Sequence, residues 1–401
     1  MIAKKIIVKN FRNIEAASLT LGGKINVLYG PNGSGKTSLA EALYFFSVGR
    51  SFRVVRPSML VRYGEIASEC ELEFTDDEGM RRTSMKYTVP QNGSVYYEVN
   101  RFSGTRREFV GNFHAVMYTP ETPALIIKGA PEAKRDFMNI ALCRINPMYT
   151  ENVTMFGRAM EDAVGLVKAR NELAYRLFGR CVNLPHDERI AEYDAQLLMY
   201  KDIMCKAAGY VFCQRSRFCK LLCGCMKEFL DYVYDGEFDV DVEYKPGIDG
   251  GDRPFASVGE FTSAIDADLT QTLYEDIASG RPSYGIHKDS ISFRFNGVEA
   301  KNIASQGQLR ILGIALKFAE GVTIKAMGGG ELPVFILDDV MSELDRKTQL
   351  KITEIFSPYQ TVITSADMGY LDTLCAFSAN IRGGFELPSI FTVSGGSFGK
   401  Y

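Results

Sequence analysis

The sequence has no run of 18 apolar residues, so a membrane-spanning helix is excluded. Its opening, Met1 to Asn10, lacks the long apolar stretch of a secretory signal. No segment repeats at a period of about 20–50 residues, which speaks against a solenoid or propeller. Cysteine occurs nine times, an odd count that does not suit a disulfide framework in a 401-residue chain. Five of the nine (Cys205, Cys213, Cys219, Cys223 and Cys225) share one stretch. Their irregular spacing lacks the close pairs a metal site needs, and they read as small apolar residues. A composition of 46% hydrophobic and 24% charged residues excludes a disordered chain. The expectation is a soluble cytoplasmic protein, long enough for two lobes with cores of their own.

The net charge of −3 conceals an asymmetry. Residues 1–60 carry nine Lys and Arg against two Glu, whereas residues 231–300 carry fifteen Asp and Glu against five Lys and Arg. A basic end is compatible with a phosphate-rich partner, and equally with ordinary solvated charge. Apolar runs at residues 6–8 and 25–29 predict paired strands, and a helix is predicted from Lys36 through Phe46. Residues 65–120 predict short strands, among them 69–74 and 94–99, separated by turn-rich residues 76–79 and 91–93. From Val153, the positions Phe156, Met160, Ala163, Val167, Ala174 and Leu177 recur at helical steps. A second such run extends from Ile190 to Phe218, with Pro185 between them, so a helical hairpin is predicted. Gly209 and Gly224 predict a break in its second helix, and residues 245–260 read as a loop or linker.

Gly30-Pro31-Asn32-Gly33-Ser34-Gly35-Lys36-Thr37 fits G-x-x-x-x-G-K-[ST] at every defined position, between an apolar strand and a helix that Ser38 continues. Such glycines let backbone N–H groups turn inward around a phosphate, and the helix N-terminus adds partial positive charge. Lys36 is expected on the phosphates, and the Thr37 hydroxyl is a hard oxygen ligand suited to Mg²⁺. Residues 334–337 form a second apolar run that ends in Asp338 and Asp339. Two adjacent acids ending a buried strand are costly unless a cation or a network uses them. Asp338 is expected to hold Mg²⁺ with Thr37, and Asp339 to orient or deprotonate an attacking water. Lys36, Asp338 and Asp339 are therefore the candidate catalytic residues.

The run Leu337-Asp338-Asp339-Val340-Met341-Ser342-Glu343-Leu344-Asp345 resembles the Walker B and D-loop segment of ATP-binding-cassette ATPases. Upstream, Ser305-Gln306-Gly307-Gln308 opens a helical run and resembles the signature of those ATPases, which caps the γ-phosphate of nucleotide held by the other subunit. Most of the chain lies between the P-loop and Asp338, far more than a transporter subunit has there. A helical insertion at this place resembles the SMC-type ATPases of DNA repair, and its shortness resembles the RecF family. Further likeness lies in Lys9-Asn10-Phe11-Arg12-Asn13, Gly49-Arg50-Ser51-Phe52-Arg53, Tyr118-Thr119-Pro120-Glu121, Gly285-Ile286-His287-Lys288-Asp289 and Phe391-Thr392-Val393-Ser394-Gly395-Gly396. The chain departs from the family pattern at Leu309 after the signature and at Lys288 after His287.

The resemblance implies an α/β P-loop NTPase of ABC-ATPase type: a mixed sheet, a flanking antiparallel β-subdomain and an inserted helical hairpin. Residues 1–125 and 260–401 would form the ATPase domain, and 126–259 the helical arm. It also implies ATP and Mg²⁺ as cofactors, Arg12 and Asn13 near the nucleotide, Glu121 at about the Q-loop position, and an ATP-dependent homodimer. The family's role is that of a recombination mediator at single-strand gaps, serving recombinational repair, replication-fork maintenance and SOS induction. RecR, with RecO, would be the partner and RecA would act downstream. Transporters carry a switch histidine just after the strand at residues 361–365, and none follows here. With Asp339 in place of the usual glutamate, this implies weak hydrolysis. His287 reads as a dimer contact or as a core histidine. Arg50, Arg53 and Arg56 are candidate DNA contacts, with Lys4, Lys5, Arg62, Arg106, Arg107, Lys134 and Arg135 behind them, although each alone also suits a solvated surface. Two other systems use the same cassette: a transporter's ATP-binding subunit and a defence-type P-loop ATPase. The long insertion weighs against the first, and the lack of a nuclease carboxylate cluster against the second.

Overall fold

The computed structural model describes the chain except residues 55, 182, 237, 249–254, 256, 273–278, 280–282, 343, 381–387 and 401. Gly250, Gly251 and Pro254 of the expected linker, and Glu343, thus lie outside the described residues. Two compact units divide the chain. The first comprises Met1–Lys128, Leu221–Asp241 and Phe295–Tyr401, and the second Gly129–Lys220 and Val242–Arg294. The division differs from the expected return at residue 260. Residues 260–294 stay with the second unit, while 221–241, expected in the arm, belong to the first.

The first unit holds two six-stranded sheets. One is antiparallel, in the order β2-β1-β4-β5-β6-β7, with β1 Ile2–Phe11, β2 Ile14–Thr20, β4 Ala67–Thr75, β5 Arg82–Pro90, β6 Tyr96–Val99 and β7 Phe102–Gly104. Its strands alternate in burial. In β5, Thr83, Met85, Tyr87 and Val89 face inward between half-exposed or exposed neighbours, the period-two pattern of a sheet with one covered face. The other sheet has the order β15-β14-β3-β13-β12-β8, with β3 Ile25–Tyr29, β8 Ala115–Tyr118, β12 Val334–Leu337, β13 Thr361–Ser365, β14 Ser389–Ser394 and β15 Ser397–Lys400. All of its pairings are parallel except β14 with β15. Central parallel strands are covered on both faces, which is why β12 is apolar without alternation. Its four residues are fully buried, each such side chain contributing about 1.5–3 kcal/mol.

The first thirty residues do not form one pair, as the sequence reading had it. β1 pairs with β2, while β3 lies in the other sheet between β13 and β14. A turn after β1 sends the chain back as β2, and the apolar run of β3 needs the two-sided burial that only the parallel sheet offers. Helix α1, Lys36–Val48, follows β3. The short α2, Arg106–Phe109, precedes β8.

The second unit contains α3 Pro131–Cys143 and α4 Pro147–Phe178. It also contains α6 Val258–Gln271 and most of α5 Glu188–Tyr234, within which the division falls after Lys220. In α4 and α5, Arg170 grips Asp194 by two points, Nε to Oδ1 at 2.6 Å and Nη2 to Oδ2 at 3.3 Å, beside packed Val167 and Leu197. The expected break at Gly209 and Gly224 does not occur. α5 continues for 47 residues, about 70 Å at 1.5 Å per residue. Gly209 serves packing instead, because a Cβ there would lie 2.6 Å from the Thr262 hydroxyl of α6. A mid-helix glycine costs only about 1 kcal/mol, which buried Ala207, Ala208, Val211 and Phe218 outweigh.

Buried Arg215 of α5 donates to the Asp289 carboxylate, to Tyr149 Oη (2.9 Å), to Asn139 Oδ1 (3.0 Å) and to the Ile286 carbonyl (2.9 Å). Asp289 also accepts from Tyr244 Oη and from the Gly247 N–H at 2.7 Å. The Gly285–Asp289 segment is thus a counter-ion and carbonyl clamp on α5, while His287 has its ring 5.9 Å from that of Phe156. Further first-unit helices are α7 Ala300–Ile303, α8 Gln306–Met327, α9 Arg346–Phe356 and α10 Met368–Asn380, and the strands between β8 and β12 in chain order are β9 Val240–Lys245, β10 Ser290–Phe295 and β11 Val298–Glu299. Among the described residues no helix is long and apolar enough to cross a membrane. Among the described residues the nine cysteines form no disulfide, and no three His, Cys, Asp or Glu side chains group as a metal site.

Candidate nucleotide site

Parallel pairing puts the C-terminal ends of β3, β13 and β12 on one sheet edge, where open α/β sheets hold ligands. β3 feeds residues 30–35 and then α1. β12 ends in Asp338 and Asp339. β13 lies between them, and its Thr364 pairs with Leu28 while Ile363 pairs with Leu337. Thr364 is therefore carried to the gap between the glycine loop and the acid pair. Its hydroxyl donates to Asp338 Oδ1 at 2.7 Å and accepts from the Asp339 N–H at 3.0 Å. Thr37 donates to the same Asp338 oxygen at 3.0 Å. Burial is the largest influence on the Asp338 carboxyl and pushes its pKa above the ordinary range. The Thr364 and Thr37 hydrogen bonds pull the other way, and neighbouring Asp339 adds to the rise. Asp339 itself has φ 48°, a left-handed backbone that costs a non-glycine residue about 1–2 kcal/mol.

The glycine loop is braced on three sides. Gly35 caps α1 at φ 115°, beyond reach of a side-chain-bearing residue. A Cβ on Gly30 would lie 2.1 Å from the Val393 carbonyl. The hairpin that follows β14 reaches the loop, where the Gly396 N–H donates to the Ser34 carbonyl at 2.8 Å. Asn13, in the β1–β2 turn, donates to the Gly33 carbonyl at 3.0 Å and accepts from Ser38 Oγ at 2.8 Å. Lys36 Nζ donates to the Gly30 and Pro31 carbonyls at 2.7 and 2.8 Å, and burial lowers its pKa against the pull of Asp339 and Asp338.

These elements enclose a cavity of about 500 Å³ lined by Arg12, Asn13, Asn32, Gly33, Gly35, Lys36, Thr37, Ser38, Arg53, Asp339 and Thr364. That size suits a small-molecule ligand. The loop N–H groups, a lysine and two arginines suit a polyphosphate, and the hydroxyl and carboxylate oxygens suit a hard cation. Ser34 Oγ is buried in the loop without a partner, a polar atom awaiting one.

Several expected residues fall elsewhere. Arg53, taken for a DNA contact, lines this cavity, whereas Arg50 and Arg56 are exposed outside it. Arg106 is tied to the Val48 carbonyl at 2.9 Å, Arg62 to Glu15, and Arg135 to the Asp289 carbonyl at 3.0 Å. Glu121 is exposed and not in the lining. Ser305 caps α8 in a reciprocal box with Gln308. Ser305, Gln306 and Gly307 are exposed, and none of the four signature residues lines the cavity of its own chain. Arg53 was expected at DNA rather than in this cavity, and Thr364 stood out in the sequence only where a histidine was absent.

Comparison with known proteins accords with this architecture. The chain is 29% identical over 370 residues to the DNA replication and repair protein RecF of Acetivibrio thermocellus, covering 92% of this chain and 94% of the relative. It is 28% identical over 371 residues to the protein of the same name from Clostridioides difficile, covering 92% and 93%. A solved structure of the recombination mediator protein RecF with ATP, from the RecFOR pathway, superposes with a TM-score of 0.80 at 23% identity, over 100% of this chain and 99% of that one. This chain thus has the fold of an ABC-type ATPase with a helical insertion. Residues 2–373 match the description RecF/RecN/SMC N terminal domain, and the chain belongs to that family.

Proposed function

We propose that this chain is a cytoplasmic, ATP-switched DNA-binding repair factor that acts at single-strand gaps as a recombination mediator. The observation that carries the reading is the convergence of the Gly30–Thr37 loop, Asp338 and Thr364 at one sheet edge. Gly30, Pro31, Asn32, Gly33, Ser34, Gly35, Lys36, Thr37 and Ser38 would hold the phosphates of ATP, with Arg12 and Asn13 beside them. Thr37 and Asp338 would hold Mg²⁺, which when bound supplies charge neutralisation on the phosphates. Asp339 would orient the attacking water. A carboxylate with this backbone and no histidine partner suits slow hydrolysis, a timing switch rather than a motor.

Ser305, Gln306, Gly307 and Gln308 would cap the nucleotide of a second copy, so that ATP joins two chains by mass action. The exposed arginines Arg50 and Arg56 would contact DNA phosphates. RecR, with RecO, would be the partners and RecA would act downstream, in repair, fork maintenance and SOS induction. The names of the relatives support this role. The test is fluorescence anisotropy of a gapped duplex across a salt series, with and without ATP. ATP-dependent binding that weakens steeply with salt is expected. Binding indifferent to ATP would overturn the reading.

A further inference from the structure

We propose that Glu41 is a positioning residue for the nucleotide, holding Arg12 and Arg53 in the cavity wall. The proposal rests on the nucleotide reading above. Glu41 lies on α1, one turn beyond Thr37, and is 0% exposed. Its carboxylate does not line the cavity, but its partners do. Arg12 meets it as a two-point fork, Nε to Oε2 at 3.1 Å and Nη2 to Oε1 at 2.8 Å. A fork of this kind fixes the plane of the guanidinium as well as its position. Arg53 Nη1 stands 3.9 Å from Oε2.

The segment that bears Arg53 is tied to the same carboxylate. Ser51 Oγ donates to Glu41 and accepts from the N–H groups of Arg53 (2.9 Å) and Val54 (3.1 Å). One buried acid thus sets two arginines that arrive from different parts of the chain, the β1–β2 turn and the connection after α1. The side chains of Arg12 and Arg53 are 19% and 47% exposed, open enough to meet a ligand while their carboxylate partner is not. Arg12 also sits at φ 57°, a strained backbone that its N–H bond to the Leu60 carbonyl, at 2.7 Å, and the Glu41 fork hold in place.

Positioning and bare charge predict opposite results. A carboxylate near phosphates repels them, so on charge alone its neutralisation would tighten binding. If Glu41 acts by aiming the arginines, its neutralisation weakens binding. The full-length chain is titrated with a fluorescent N-methylanthraniloyl ATP and Mg²⁺, and melted without nucleotide. Glu41→Gln is expected to bind about tenfold more weakly, the size of one lost charge-assisted contact. Glu41→Asp, which keeps the charge but shortens the reach, is also expected to weaken binding. In an Arg53→Ala background the loss from Glu41→Gln is expected to shrink, because half of what Glu41 aims is gone.

Affinity equal to or tighter than that of the parent in Glu41→Gln, with or without a lower melting temperature, would overturn the proposal. If Glu41→Gln does not fold, unchanged affinity in Glu41→Asp would overturn it as well. Lys36→Ala separates the two levels. If it loses binding while the Glu41 variants do not, only the positioning role falls. If it binds like the parent, the nucleotide reading falls, and the proposal with it.

Discussion

At the scale of single residues, Asp338 shows how a site stores its own instability. The carboxyl is buried, and burial raises its pKa above the ordinary aspartate range. A folded-state pKa above the unfolded value means that the native chain holds the proton more tightly between the two values. Stability from this group is then complete below the unfolded pKa and lost as pH rises through the folded one. Ionising the buried, ligand-free Asp338 is therefore a cost that a bound cation would offset. Asp338→Asn is expected to melt above the parent at pH 7 without nucleotide, the gap closing below about pH 4 where both states protonate. The same variant is expected to lose Mg²⁺-ATP affinity by more than about tenfold. Differential scanning fluorimetry across pH and a nucleotide titration check the two halves, and a variant that melts below the parent at pH 7 would contradict the first. Glu41 is the opposite case, a buried acid already supplied with an arginine fork.

At the scale of elements, the ion pair on α5 carries the argument. Arg215 is 1% exposed and so is Asp289, and five partners converge on the pair. Removing one member of such a pair leaves an uncompensated buried charge, which costs about 3–5 kcal/mol. Asp289→Ala is therefore expected to lower unfolding stability in urea by that amount, whereas Asp289→Asn, which keeps one of the two acceptor oxygens, is expected to cost less. A loss below about 1 kcal/mol in Asp289→Ala would show that Arg215 finds water or another partner. The Gly285–Asp289 segment stood out in the sequence, yet its work could not be read there. Arg215 lies on a different element, and only packing brings the two together. The helices themselves were legible because α4 and α5 repeat apolar residues at helical steps. The break at Gly209 was misread because the partner that explains the glycine, Thr262 of α6, is remote in sequence.

At the scale of the whole molecule, the proposed site is incomplete in one chain. The α8 N-terminus that would cap a phosphate is absent from the cavity lining, and Ser305 spends its hydroxyl on its own helix. Lys36→Met and Ser305→Arg are therefore each expected to abolish ATP-dependent dimerisation, the first by loss of the phosphate cation and the second by bulk at the cap. Losing the cap costs the helix about 1 kcal/mol, too little to unfold the chain. Sedimentation velocity with and without ATP checks this, and an ATP-induced dimer that persists in either variant would contradict it.

The glycine loop, the acid pair and the helical hairpin were determined by the sequence itself, since each is contiguous or periodic and its physics is local. Strand order was not. β3 and β12 read as separate apolar runs, and nothing in either says that β13 lies between them and brings Thr364 to Asp338. Arg53 looked like surface charge until the turn after α1 brought it to Glu41, and the Gly396 turn gave no hint that it donates to the loop 362 positions earlier at Ser34. Those contacts follow from sheet register and close packing, which join residues hundreds of positions apart, so only the folded chain could decide them.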